Sequence, residues 1–181
     1  MGAFERAFAK VVGVEGGYSD HKDDRGGKTK FGITEAVARA EGYEGSMYLL
    51  PLETAQAIYR KRYWNVLNLD AIAALSEPIA DELFDTGVNM GTGAAGTFLQ
   101  RSLNSLNRRA TDYADLVVDG VVGRMTVAAF RAYIAKRGKE GERVLLRALN
   151  SLQGARYIEI SESRQANESF TFGWFSNRVG M

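Results

Sequence analysis

The chain has no cysteine, one histidine and two prolines in 181 residues. Without cysteine there is no disulfide and no thiolate metal site. A lone imidazole, His21, cannot build a histidine zinc cluster, so neither a metal nor a cofactor is expected. Net charge is also nearly missing: 23 Lys and Arg face 22 Asp and Glu, leaving +1. A chain with no basic excess has little means of releasing phosphate counterions, which excludes a dedicated nucleic-acid binder. The same balance argues against strong attachment to an anionic surface. No apolar run reaches the roughly eighteen residues of a membrane span, so stable membrane insertion is not expected. The start, Met1-Gly2-Ala3-Phe4-Glu5-Arg6, carries an early acid and no apolar core, unlike a secretory signal. Gly2 also lacks the Ser or Thr at position six that myristoylation favours.

What is present is a helical pattern. With 45% hydrophobic residues the chain can bury a sizeable core. No repeat, Pro/Ser linker or low-complexity tract marks a boundary, so one compact, mainly α domain over 1–181, a monomer, is expected. Thr34 can cap a short helix through Ala40 that Gly42 ends. A second helix runs from about Pro51 to Trp64, with Ala55, Ile58, Tyr59 and Arg62 on one side. Ser76-Glu77-Pro78 reads as another start, followed by the stripe Ile79, Leu83, Phe84 and Val88. Further helices are expected over 93–106, from Thr126 through Ala135, and over 140–162 with a kink. Short strands are expected only around residues 18–34 and at Leu116 to Val122.

The first helix leads to the chemistry. Phe4, Phe8, Val11 and Glu15 fall on one helical stripe, and Gly16-Gly17 follows as a stop. A carboxylate in the last turn of a buried stripe meets desolvation and the negative end of the helix dipole. Both raise its pKa toward that of a general acid. The alternative is a Glu turned to solvent at a frayed end. Five glycines between Gly16 and Gly32 then mark tight turns or an irregular hairpin. Eight residues separate Glu15 from Asp24, and Thr29 follows. A folded-back loop can therefore set a second carboxylate and a hydroxyl opposite the first, the pair that glycosidic cleavage uses. Lys22, Arg25, Lys28 and Lys30 surround Asp24 and favour its charged form.

The segments Glu15-Gly16-Gly17-Tyr18 and Asp24-x-Gly-Gly-x-Thr-x-x-Gly-Ile-Thr34 resemble the amino-terminal module of glycoside hydrolase family 108, the N-acetylmuramidases of phage endolysins and some secretion-associated bacterial proteins. The resemblance assigns Glu15 as the catalytic acid. The order Glu15, Asp24, Thr29 is also similar to the catalytic trio of tailed-phage lysozymes, with four residues rather than five between Asp24 and Thr29. Arg25 stands where family members usually carry Pro. Tyr63-Trp64, Phe84-Asp85, Asn89-Met90-Gly91, Leu99-Gln100, Asp119 to Thr126 and Gly173-Trp174 resemble the predicted peptidoglycan-binding module that commonly follows. The two modules would cover about 1–90 and about 91–181 as labels on one lysozyme-like domain.

The resemblance implies a muramidase that hydrolyses the β-1,4 bond between N-acetylmuramic acid and N-acetylglucosamine. Its partner would be the glycan strands of peptidoglycan. It implies a phage endolysin made in the host cytoplasm, acting on the wall in the periplasm after a holin-type protein releases it. A lytic transglycosylase, or a non-catalytic peptidoglycan-binding or secretion-assisting protein, is the alternative. Substrate contacts are expected from Tyr18 beside Glu15, from Tyr59, Tyr63 and Trp64, and from Asn89 at a helix end. Core packing competes for at least one of the three clustered aromatics, and a helix cap competes for Asn89.

Other motifs carry less. Gly91-Thr92-Gly93-Ala94-Ala95-Gly96 matches a dinucleotide fingerprint, but a helical pattern precedes it instead of a strand. Asp20 to Asp24 fails as a calcium loop, since Lys22 replaces a ligand and Arg25 the glycine. His21 reads as a loop residue. Arg143, Arg147, Arg156 and Arg164 share a stretch with Val144, Leu145, Leu149 and Leu152, a basic amphipathic pattern that can bind membrane surfaces. Glu140, Glu142, Glu159 and Glu162 interleave with them and favour a solvated face.

Overall fold

Phe4, Ala7 and Phe8 recur at helical spacing and are buried, which fixes one face of the first helix, α1 (Ala3–Val11). The computed structural model describes residues 1–13, 17–19 and 27–180. α1 stops sooner than the apolar stripe predicts. Its last helical residue is Val11, and Gly13, at φ 79°, takes the left-handed turn assigned above to Gly16-Gly17. Glu15 itself, like Asp24 and His21, lies outside the described residues.

Three short strands follow: β1 (Tyr18–Ser19), β2 (Thr29–Lys30) and β3 (Ile33–Thr34). They pair antiparallel in sequence order, with Tyr18 opposite Lys30, Ser19 opposite Thr29 and Lys30 opposite Ile33. The β2–β3 connection is two residues, Phe31 and Gly32, both at positive φ (52° and 72°). Two left-handed residues give the turn whose twist matches the flanking strands. Thr34 then caps α2 (Glu35–Ala40) by accepting from the Val37 amide, and Gly42 turns at φ 86°.

A 3-10 turn, Met47–Leu49, leads to α3 (Leu52–Tyr59), with Pro51 at its N-cap. The predicted helix to Trp64 is continuous, but its last turn, Arg60–Trp64, widens to π geometry. Phe4, Phe8, Tyr59 and Trp64 make the aromatic centre of this unit. Phe8 meets Tyr59 edge-on at 5.3 Å, and Phe4 meets Trp64 at 5.4 Å.

Met1–Asn65 form one compact unit and Val66–Met181 another. The second holds α4 (Leu69–Ala73), α5 (Glu77–Met90), α6 (Thr92–Ser105), α7 (Arg124–Ser163) and α8 (Glu168–Arg178). Ser76 caps α5 by accepting from the Ile79 amide, and Ile79, Leu83 and Phe84 are buried as their periodicity requires. Gly91, at φ 90°, separates α5 from α6. α7 joins the two helices expected over 126–135 and 140–162. Gly138, at φ 56° and ψ −147°, is the kink between them.

Leu116 to Val122 form no strand but an irregular loop, which is a second correction. Its backbone is held by side chains instead of a ladder. The Gln100 amide donates to Asp119 Oδ1 at 2.8 Å and to the Val121 carbonyl at 3.0 Å, and its carbonyl accepts from the Gly120 amide. Asn104 brackets Leu116 by donating to its carbonyl and accepting from its amide, both at 2.8 Å. The fold is mainly α with one small antiparallel sheet among the described residues.

Candidate active site

By chain order Glu15 lies between α1 and β1, and Asp24 lies between β1 and β2. The described residues around these segments form their frame. Thr29, on β2, is half-buried, and its hydroxyl donates to the Gly27 carbonyl at 3.1 Å. Its backbone is opposite Ser19 on one side and Thr34 on the other, so it occupies the middle strand. The Glu35 amide donates to the Lys28 carbonyl at 2.8 Å and ties the base of the loop to α2.

Tyr59 is a frame residue. It is buried, and its hydroxyl donates to the Phe31 carbonyl at 3.0 Å. A β-carbon on Gly32 would meet that oxygen at 2.7 Å, so only glycine fits there. Burial, and next the neighbouring Tyr63, push the Tyr59 phenol up to about 12. Trp64 is fully buried. Neither ring offers an open face to a sugar, so the core-packing alternative holds for both. Tyr63 is half-buried and tilts against Tyr59 at 5.4 Å.

Tyr18 is exposed, and its ring meets Tyr48 edge-on at 5.4 Å. Periodicity gave Tyr48 no role, because it sits on a single 3-10 turn too short to show a stripe. Lys30 Nζ donates to the Tyr48 carbonyl at 2.6 Å and so joins the hairpin to that turn. Glu41 receives Lys61 at 2.7 Å and Arg62 at 3.3 Å. The bond from Lys61, above all, holds its carboxyl below the usual range.

Asn89, in the second unit, is exposed at the end of α5. Its amide donates back to the Asp85 carbonyl at 2.8 Å and to Asp85 Oδ1 at 3.0 Å. Its donors are thus taken up within the helix, as in the capping alternative. Asp85 also receives Gln153 at 2.8 Å and Arg178 at 3.0 Å, which links α5 to α7 and α8. Burial raises the Asp85 carboxyl despite these donors. The neighbouring Glu82 is pushed up to about 7, by burial first and then by the Asp85 charge.

Among the described residues no group of three or more His, Asp or Glu side chains could hold a metal ion. No helix among them is long and apolar enough to cross a membrane. Two arginines of α7 are paired within the helix, Arg143 with Glu140 at 2.6 Å and Arg156 with Glu159 at 2.9 Å, while Leu145 and Leu149 are buried.

Residues 8–91 match the family model Glycosyl hydrolase 108, and residues 94–179 match the model Predicted Peptidoglycan domain. The chain is similar to the solved structure of SagA from Brucella abortus. The two share 29% identity over 97% of this chain and 88% of that one, with a TM-score of 0.69. No curated protein matches. The junction between the matched segments falls at Gly91, inside the second compact unit, so α4 and α5 go with the first module by sequence and with the second unit by packing.

Proposed function

We infer that this chain, which matches the glycosyl hydrolase 108 model over residues 8–91 and a peptidoglycan module over residues 94–179, as fits a glycoside hydrolase acting on peptidoglycan, is a muramidase. It cleaves the β-1,4 bond between C1 of N-acetylmuramic acid and O4 of N-acetylglucosamine. Glu15 gives its proton to the departing O4 as the C1–O4 bond breaks. Asp24 stabilises the oxocarbenium-like centre or positions the water that adds to C1. The Thr29 hydroxyl helps to hold that water.

The observation that carries this reading is the motif itself: Glu15 to Tyr18 and Asp24 to Thr34 fall inside the matched segment 8–91. The frame supports it, because β1 and β2 bracket the segment that contains Asp24. The biological setting that fits is a phage endolysin, made in the host cytoplasm and passed to the wall by a release protein.

Mass spectrometry of purified cell wall after digestion tests the reaction. Reducing N-acetylmuramic acid ends are expected. Anhydro ends would identify a lytic transglycosylase, and no cleavage would identify a binding protein.

A further inference from the structure

Tyr48 and Tyr18 hold each other edge to face, with planes at 84°, yet stay 64% and 37% exposed. Rings that stay this exposed forgo part of the burial that usually draws aromatic area inward. The arrangement is anchored from beneath. Met47 and Leu50, flanking Tyr48 and Leu49, are both buried and pin the 3-10 turn. From the hairpin, Lys30 holds the Tyr48 carbonyl and places its ammonium 5.8 Å from the centre of the Tyr48 ring and 5.3 Å from that of Phe31. Lys30 is also the strand partner of Tyr18. One side chain from each of β1, β2 and the 3-10 turn therefore converges on one patch.

The chemistry of that patch is amphipathic: two aromatic faces, two phenol hydroxyls and an ammonium. An N-acetylated pyranose matches it. The ring C–H groups lie against an aromatic face, while hydroxyls, an acetamido carbonyl or a carboxylate take the polar donors. Tyr18 follows Glu15 by three residues, so the patch lies on the same stretch of chain as the acid.

We propose that Tyr48, with Tyr18 and Lys30, forms a binding subsite for an N-acetylated sugar of the glycan strand. Tyr48 supplies the stacking surface, Tyr18 fixes its angle, and Lys30 both positions the turn and contacts polar groups of the sugar. The identity of the sugar rests on the muramidase reading, but the subsite rests on its own geometry.

The test uses the full chain as wild type, Tyr48→Ala and Tyr48→Phe. Each is titrated with the N-acetylglucosamine pentamer by calorimetry and assayed for reducing ends on purified peptidoglycan. Tyr48→Ala is expected to weaken pentamer binding and raise KM roughly ten-fold, with kcat within about two-fold, while Tyr48→Phe stays within about three-fold of wild type. Tyr48→Ala that binds and cleaves like an active wild type would overturn the subsite and leave the muramidase reading standing. Tyr48-dependent pentamer binding without any release of reducing ends would keep the subsite and remove that reading. A fall in kcat with unchanged KM and binding would also overturn the subsite.

Discussion

Tyr59 donates its hydroxyl to the carbonyl of Phe31 at 3.0 Å, across 28 positions of sequence. The bond lets a core helix hold a hairpin turn whose residues Phe31 and Gly32 both sit at positive φ. Phe at φ 52° is a costly conformation, of the order of 1 kcal/mol or more, and persists only when its surroundings dictate it. Here they do: the Phe31 ring is buried and its carbonyl is satisfied.

Tyr59→Phe should therefore lower stability by about 1–3 kcal/mol, since it leaves a buried carbonyl without a donor. Gly32→Ala should lose at least as much, because its β-carbon would meet Tyr59 Oη at 2.7 Å on a backbone at φ 72°. Thermal melts of the two variants check this. A melting temperature within 1 °C or so of wild type for both would refute the turn clamp.

Glu15→Gln keeps the shape of the side chain but removes the proton to be donated. Turnover on purified wall should fall by about 10²–10⁴, with circular dichroism unchanged. Asp24→Asn should also cost much activity, whereas Asp20→Asn and Asp23→Asn should cost little. Sensitivity at Asp23 in place of Asp24 would shift the second carboxylate by one position.

Glu82 makes stability depend on pH in a defined direction. Its carboxyl is pushed up to about 7 from an ordinary 4.5, so between those values the folded protein holds a proton that the unfolded chain has released. Stability therefore falls as pH rises from about 4.5 to about 7, and the deficit is complete above that window. The raised Asp85 carboxyl acts in the same sense. Glu82→Gln can still meet Thr86 and Asn150, the present partners at 3.4 and 3.3 Å, without carrying charge. Relative to wild type it should gain about 1–3 kcal/mol at pH 8 over its standing at pH 4. Parallel melting curves for the two proteins across that range would rule this out.

Gly96 packs directly on Gly120 of the irregular loop between α6 and α7. A β-carbon there would lie 2.1 Å from the Gly120 carbonyl oxygen, a backbone atom that no rotamer change can move. Gly96→Ala should thus destabilise the second unit by about 1–3 kcal/mol, whereas Gly93→Ala, with open space around it, should not through contact. Comparable melting temperatures for the two variants would refute the close approach.

The sequence alone determined what depends on near neighbours. Thr34 and Ser76 were legible as caps because a cap is satisfied by an amide three residues on. The stripe Ile79, Leu83 and Phe84 was legible because helical period puts those positions on one face. The residues Glu15 to Tyr18 and Asp24 to Thr34 carried the resemblance to the family by themselves, since that motif is written in a short continuous stretch.

Tertiary structure alone decided what depends on distant groups. The stripe in α1 pointed on to Glu15, but the helix ends at Val11 and Gly13 makes the turn. Tyr59 and Trp64 have the composition of a sugar platform, yet the rings of Phe8 and Phe4 cover them. Asn89 looked free for substrate until Asp85, one turn back, took both its donor bonds. Tyr48 carried no periodic signal and gained its meaning only when Lys30 and Tyr18 came to it through the sheet. The physical reason is one of range: caps, turns and periods are settled within about four residues, whereas burial and cross-chain hydrogen bonds are settled by whichever segment folds alongside.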